Sequence, residues 1–306
     1  MLIKAARAML TALLAVTFVF VMMRFAGDPA MAVYGPEVQP EVIEHFHAQF
    51  GLDQPLWSQY ATYLGSLLQG EFGVSFREGR SAFEVVIGVL PATLLLGGSS
   101  LALALVIGVP FGAVAATRPG SVADRLLMGF AVTGYALPNF FLGIVLILIF
   151  TLNLRLLPSA GAGSWAHLVM PVVTLGTAYA GILARFVRAA MRDALAKPFI
   201  QAARARGFSR PAVSVRHAAP NAALPTVTVL GLLVGGVLSG SVVTETLFAW
   251  PGAGRLLVDA VAARDLPVVQ LLVLMVTLSM VVVNLAVDLT YGLIDPRVRV
   301  GAGHGR

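Results

Sequence analysis

The chain has 306 residues, of which 58% are hydrophobic and only 12% charged, and its formal net charge is +6. A soluble domain of this length would need far more charge to cover its surface, so the composition excludes that class and indicates an integral membrane protein. The absence of cysteine excludes disulfides, thiol catalysis and cysteine-ligated metals. Arginines concentrated on one side of a membrane explain the net positive charge better than a nucleic-acid partner does. We therefore do not expect the protein to bind nucleic acid.

Six apolar segments are long enough, or nearly so, to cross a bilayer core, which takes about 20 helical residues. In chain order they are Ala6–Phe25, Pro91–Ala116, Leu126–Leu152, Leu168–Val187, Leu224–Leu247 and Val268–Leu293. Lys4 and Arg7 lie ahead of the apolar stretch of the first segment, as in a signal peptide. Because Met22–Phe25 is a poor cleavage site, we interpret the segment as a retained helix, with a cleaved signal as the alternative. The sequence thus predicts an all-α polytopic membrane protein with six spans.

The basic residues are divided unequally between the loops. Six spans put both termini on one side, and that side carries fifteen of the 21 basic residues, including eight between Arg185 and Arg216. The opposite side carries six basic residues and eleven of the 15 acidic ones. The positive-inside rule therefore predicts that both termini and the segment 185–220 are cytoplasmic.

These spans divide the chain into four parts. They are the N-terminal tail with the first span (1–26), an extracytoplasmic loop (27–90), the transmembrane core (91–293) and a cytoplasmic tail (294–306). The loop 27–90 contains eight acidic residues and two arginines, and its aromatic residues include Trp57 and Tyr60. A disordered tether would have few aromatic residues, so we expect this loop to fold into a cap.

The sequence shows no catalytic or metal-binding pattern. Its only lysines are Lys4 and Lys197, and neither follows a glycine-rich phosphate loop, which excludes ATP hydrolysis by this chain. His45 and His47 would point to different faces of a helix, so surface histidines are favoured over a metal site. We predict that the chain is not an enzyme and has no catalytic, cofactor-binding or metal residues.

Several polar residues fall within or near the ends of the predicted spans, where burial in lipid is costly. The candidates for lining a transport pathway are Asn139, Glu245 and Asn284. Helix capping and interhelical hydrogen bonds would explain the first two equally well. Asp288 and Asp295 are instead expected to pair with arginines at the cytoplasmic end.

The most specific local pattern is Lys197-Pro-Phe-Ile-Gln-Ala-Ala-Arg-Ala-Arg-Gly207. Pro198 suits a first helical turn, where its missing N–H costs nothing, and Gly207 suits the left-handed residue that ends a helix. Ser209 then begins a second helix. The residues that recur at helical spacing on one face are Phe199, Ala202, Ala203 and Arg206. The pattern predicts a short helix across the cytoplasmic ends of the bundle, with a helix lying on anionic headgroups as the alternative.

Two parts of this segment have the spacing of a known motif. Gln201-Ala-Ala203, three residues, Gly207, nine residues and His217-Ala-Ala-Pro220 resemble the EAA loop of binding-protein-dependent ABC importer permeases. That pattern is Glu-Ala-Ala, three residues, Gly, nine residues, Ile, any residue, Leu-Pro. The sequence departs from it at Gln201, His217 and Ala219. These departures are ordinary in the dipeptide/oligopeptide/nickel branch of the family.

Further blocks are similar to the first-type permease of that branch, in the same order along the chain. They are Gly51–Tyr60, Gly70–Ser75, Leu90–Thr93, Glu245–Leu257, Arg264–Gln270 and Asp295–Arg299. The resemblance implies the type I ABC importer permease fold in a bacterial inner membrane. It also implies partners: a second related permease, two ATPase subunits that hold ATP and Mg, and an extracytoplasmic solute-binding protein.

The resemblance further implies a role for the short helix and a substrate class. The helix would dock on an ATPase as a coupling helix, formed by Pro198, Phe199, Ile200, Gln201, Ala202, Ala203, Arg204, Arg206 and Gly207. The chain would form half of a pathway for di- or oligopeptides, with nickel or another small solute as the alternative. A secondary transporter or channel would need an inverted repeat or a charged pair at the midplane, and the sequence shows neither.

Overall fold

The structure, a computed structural model, describes residues 2–294, and this part of the chain is almost entirely helical. In chain order the helices are α1 (Leu2–Phe25), α2 (Pro29–Tyr34), α3 (Pro40–Phe50), α4 (Leu56–Leu68), α5 (Ala82–Thr117), α6 (Val122–Ala136), α7 (Asn139–Leu146), α8 (Ala166–Leu195), α9 (Pro198–Ala205), α10 (Arg210–Val213), α11 (Ala219–Gly235), α12 (Val237–Gly240), α13 (Val242–Leu247), α14 (Ala253–Ala262) and α15 (Leu266–Ile294). Two π-helical stretches, Ile147–Asn153 and Ser214–Ala218, follow α7 and α10. The predicted all-α class is confirmed.

Within residues 2–294, five helical segments are long and apolar enough to cross a membrane, and a bent pair can supply a sixth span. This number agrees with the six predicted spans. The helix that contains the second span begins at Ala82, before the predicted Pro91, and the helix that contains the fourth continues beyond Val187 to Leu195. Asp295 and the tail after Ile294 lie outside the described residues, so the pairing of Asp288 and Asp295 with arginines stays a prediction.

The third span was predicted as one continuous segment, and that prediction is wrong. The pair formed by Val122–Ala136 and Asn139–Asn153 is bent by 99°. Leu137 is extended (φ −72°, ψ 128°) and Pro138 follows with ψ 133°. Proline lacks the N–H that a helix interior needs and disfavours the helical conformation in the preceding residue, so the chain breaks at this point.

The fifth span is shifted along the chain relative to its predicted bounds, Leu224–Leu247. The spanning segment is Arg210–Gly235, and residues 237–247 form the two short helices α12 and α13. Ser209 is the residue before the first turn, and the proline that follows Arg210 suits that turn. Hydropathy alone missed this start because its first residues are polar, whereas the predicted helix start at Ser209 is confirmed.

Contacts divide the chain into two compact units, and the first consists of Met1–Thr93 and Pro251–Val281. Its core joins α1, the start of α5, α14 and the start of α15 through residues such as Met23, Val86 and Leu272. The loop predicted to form a folded cap contains α2, α3 and α4. Phe46 is buried there, with ring centroids 4.7 Å from Phe50 and 5.4 Å from Phe76.

The second unit consists of Leu94–Trp250 and Val282–Arg306, and α8 is its most buried helix. Small residues let neighbouring helices approach α8 closely. A Cβ added at Gly112 of α5 would lie 2.4 Å from the Ala184 carbonyl oxygen, and one at Gly181 would lie 2.3 Å from the Ala131 carbonyl oxygen. Close backbone contact through small residues is the usual way in which helices pack in a membrane.

Candidate functional site

The short helix predicted from the sequence is present as α9. Lys197 precedes it in an extended conformation (φ −72°, ψ 148°) and Pro198 occupies its first turn. After the helix, Gly207 has φ +84°, and a Cβ at this position would meet no atom within 4 Å. Gly207 is therefore required for its backbone conformation and not for space.

Burial divides the residues of α9 into two faces. Ile200 and Ala203 are only 0% and 6% exposed, and they pack in a core with residues of α8, α10 and α11 such as Met191, Val213 and Ala222. The exposed residues of the helix include Phe199, Gln201, Ala202 and Arg204, and Arg206, which directly follows the helix, is exposed as well. Placing Ala203 on one face with Phe199, Ala202 and Arg206 was therefore wrong, because Ala203 lies inside this chain and is not available to a partner.

The segment after α9 is packed against the same core. The Phe208 N–H donates to the Ala203 carbonyl at 3.3 Å, and the Phe208 ring lies 5.1 Å from that of His217. Val213 and Ala218 are fully buried. The loop that carries the motif residues thus packs on the same core as α9 through buried side chains.

An ion pair joins α6 to α8 near the same region. Arg188 donates from Nε to Asp124 Oδ1 at 2.6 Å and from Nη2 to Oδ2 at 2.7 Å, and the Gly120 N–H donates to Oδ2 at 2.8 Å. Two parallel bonds fix both side chains more strictly than a single contact would. Sequence reasoning missed this pair; Ser121, whose Oγ accepts from the Asp124 N–H, marks a helix start but does not indicate Arg188.

The three pathway candidates lie in different environments. Asn139 is half-buried in the first turn of α7, directly after the break, and Asn284 is exposed on α15. Glu245 of α13 is 0% exposed, and the Ser241 hydroxyl donates to its Oε1 at 2.9 Å. Their role in a pathway remains a prediction.

Sequence reasoning missed two hydroxyl groups of the second unit. Tyr179 Oη and Thr244 Oγ1 are buried and have no hydrogen-bond partner among the residues that the structure describes. Thr244 precedes the buried Glu245, and Tyr179 Oη lies 2.9 Å from where a Cβ at Gly240 would be. An unpartnered hydroxyl in a buried site is costly, and the described residues supply no group that offsets this cost. The sequence feature that could have indicated Tyr179 is its position as a single tyrosine among small residues in the fourth predicted span.

The architecture defines a class of protein: a polytopic helical bundle with an ordered short helix between two spans, and no group of metal-ligating residues within the described part. Residues 108–300 match the family described as binding-protein-dependent transport system inner membrane component, and residues 1–97 match its N-terminal family. The chain belongs to this family. It is a permease subunit of an ABC importer, and this subunit is not itself an enzyme.

Relatives and a solved structure agree with this assignment. The chain is 42% identical over 282 residues to the glutathione transport system permease protein GsiC of Escherichia coli K12, covering 92% of each chain. The same figures hold for GsiC of Shigella dysenteriae. The inward-facing MetNI methionine ABC transporter superposes with a TM-score of 0.56 at 19% identity, over 70% of this chain and 97% of that chain. This likeness confirms the predicted type I importer permease fold.

Proposed function

We propose that this permease imports di- or oligopeptides, including peptide-like solutes such as glutathione. The observation that carries the proposal is the 42% identity to glutathione permeases over 92% of the chain. Such identity extends through both units and is too broad to reflect a shared membrane composition. The substrate would cross through a pathway of which this chain forms half, and a second, related permease would form the other half.

The proposed assembly also contains two ATPase subunits and an extracytoplasmic solute-binding protein. The charge distribution supports an orientation with both termini in the cytoplasm, on the side of the arginine-rich segment. In that orientation α9 faces the ATPases and the cap formed by α2–α4 faces the binding protein. ATP and Mg belong to the ATPase subunits, since this chain has no phosphate-binding loop.

The packing around α9 supports a coupling role. Its inner face, with Ile200 and Ala203, is fixed to α8, α10 and α11, while Phe199, Ala202 and Arg206 are exposed. Closure of the ATPases on ATP would move the exposed face, and the packed inner face would pass that movement to the spans. A rigid element between two discrete states is what alternating access requires.

Ligand identification tests the proposed substrate. The cognate binding protein is purified without refolding, and its bound solute is released and identified by mass spectrometry. We expect a short peptide or glutathione, and the same compound should compete for uptake in cells that express the complete importer. A sugar or a metal chelate as the bound solute would overturn the proposed substrate and leave the family assignment intact.

A further inference from the structure

The first unit contains a cavity of about 790 Å³ between the C-terminal end of α1, the cap helix α4 and the start of α15. This volume lies within the range of about 300–1,000 Å³ that small-molecule sites occupy. The polar residues that line it include Arg24 of α1, Gln59 and Tyr63 of α4, and Glu71 of the following loop.

Arg24 brings a positive charge to the lining of this cavity. Its Nε is buried and has no hydrogen-bond acceptor among residues 2–294. The guanidinium carbon lies 4.9 Å from the centroid of the Phe20 ring, which itself stacks on Tyr63 at 5.9 Å. Burying a donor of a charged group without an acceptor costs free energy, and a carboxylate is the acceptor that fits a guanidinium best.

Gln59 and Glu71 add further polar groups to the lining of the cavity. Its amide nitrogen donates to the Leu52 carbonyl at 3.0 Å and to the Gln54 carbonyl at 2.6 Å, which fixes the orientation of the amide. The other amide atom, Oε1, is buried and has no donor within the described part of the chain. This atom is enclosed by the protein and does not face the open space of the cavity. Glu71 adds a negative charge to the lining of the same cavity.

The remaining lining suits an organic ligand. Phe50 and Phe76, whose ring centroids are 4.6 Å apart, provide an apolar surface for side chains. Burial and the nearby Tyr60 raise the pKa of Tyr63 to about 12, so its hydroxyl remains neutral and can donate a hydrogen bond at physiological pH. A cation, an anion and an aromatic wall in one cavity are complementary to a zwitterion with apolar substituents.

From this arrangement we infer that the cavity binds a short peptide with free termini, its carboxylate at Arg24 and its ammonium at Glu71. The inference rests on the importer function proposed above, and it adds a substrate site on the permease itself, apart from the binding protein. The headgroup of phosphatidylethanolamine also pairs an anion with an ammonium, so the experiment must separate a free peptide from a lipid.

The test uses the complete importer in phosphatidylcholine nanodiscs, without the binding protein. Calorimetric titration compares the tripeptide Ala-Phe-Ala with its C-terminal amide and its N-acetyl derivative. We expect the free tripeptide to bind at least about 10-fold more tightly than either derivative, the factor lost with one hydrogen bond to a charged group. Arg24→Met should remove the preference over the amide, and Glu71→Gln should reduce the preference over the N-acetyl form.

Arg77→Met is the matched control, because Arg77 is an exposed cap arginine outside the cavity lining. It should leave the affinity for the free tripeptide unchanged. The comparison of peptide derivatives on the unmodified chain stays informative even if Arg24→Met fails to assemble. No detectable binding at about 10 mM tripeptide, or equal affinity for the free peptide and its amide, would overturn the inference.

Native mass spectrometry on importer taken from cell membranes separates the lipid source. Phosphatidylethanolamine that is retained by the unmodified chain, lost in Arg24→Met and not displaced by tripeptide would identify a lipid site and refute the peptide site. The same preparations are assayed for ATP-driven uptake with the binding protein added. Uptake without cavity binding rejects only the inference, whereas cavity binding without any uptake rejects the proposed function.

Discussion

Replacement by tryptophan should have different effects at the adjacent alanines Ala202 and Ala203 of α9. Ala203 is 6% exposed and packed in the core of the second unit, whereas Ala202 is exposed. In Ala203→Trp the added ring has to displace neighbours such as Ile200 and Met191. Overpacking of this kind costs about 1–3 kcal/mol or more, while an exposed substitution usually changes stability by less than about 0.5 kcal/mol.

The purified permease complex is heated while its tryptophan fluorescence is recorded, and retention of the ATPase subunits is measured by size-exclusion chromatography. We expect Ala203→Trp to lower the unfolding temperature, and Ala202→Trp to leave it unchanged but release the ATPases. Ala202→Ser, which keeps a small side chain, is the control for Ala202→Trp. Normal ATPase retention and normal uptake in Ala202→Trp would refute the docking of this face on a partner, and unchanged stability in Ala203→Trp would refute the assigned packing.

Three further predictions concern Gly207, the Arg188–Asp124 pair and the orientation of the chain in the membrane. Gly207→Val should destabilise the segment by about 1–2 kcal/mol, because valine disfavours φ +84°, and should reduce uptake without changing membrane insertion measured by fractionation. Arg188→Met should lower the free energy of unfolding, measured with denaturant, by about 1–3 kcal/mol, since it leaves the Asp124 carboxylate without its cation. The loss should be smaller than for a fully buried pair because the Arg188 side chain is 26% exposed. An unchanged denaturant midpoint would contradict this prediction. A cysteine replacing Ser164 should react with an impermeant maleimide added outside intact spheroplasts, and one replacing Ser209 should react only after permeabilisation. External labelling at Ser209 would contradict the predicted orientation.

The ends of α9 were predictable because their signals are local. Proline is tolerated in the first turn of a helix but not in its interior, so Pro198 marks a helix start. Gly207 can adopt a positive φ that other residues avoid. Neither signal depends on distant parts of the chain. The same logic places the start of the fifth span at Ser209. Hydropathy averaged over a window missed the helix start at Ser209 and the break at Leu137–Pro138. An average over a segment does not show the single residue that begins or interrupts a helix.

The inner face of α9 could not be predicted from the helix alone. Ile200 and Ala203 are buried because Met191 and Val213 come from other helices to cover them, and helical spacing alone does not indicate which side they cover. The Arg188–Asp124 pair joins residues 64 positions apart in the sequence. Contacts at that separation depend on how the helices pack, and one sequence carries no local signal for them.

Transport in a reconstituted system tests the central claim most directly. The permease, its partner permease and the ATPases are placed in proteoliposomes with ATP inside, and binding protein loaded with radiolabelled glutathione or a labelled dipeptide is added outside. We predict uptake that requires ATP hydrolysis, the binding protein and this chain together. Uptake by this chain alone, driven by an ion gradient and independent of ATP, would contradict the account.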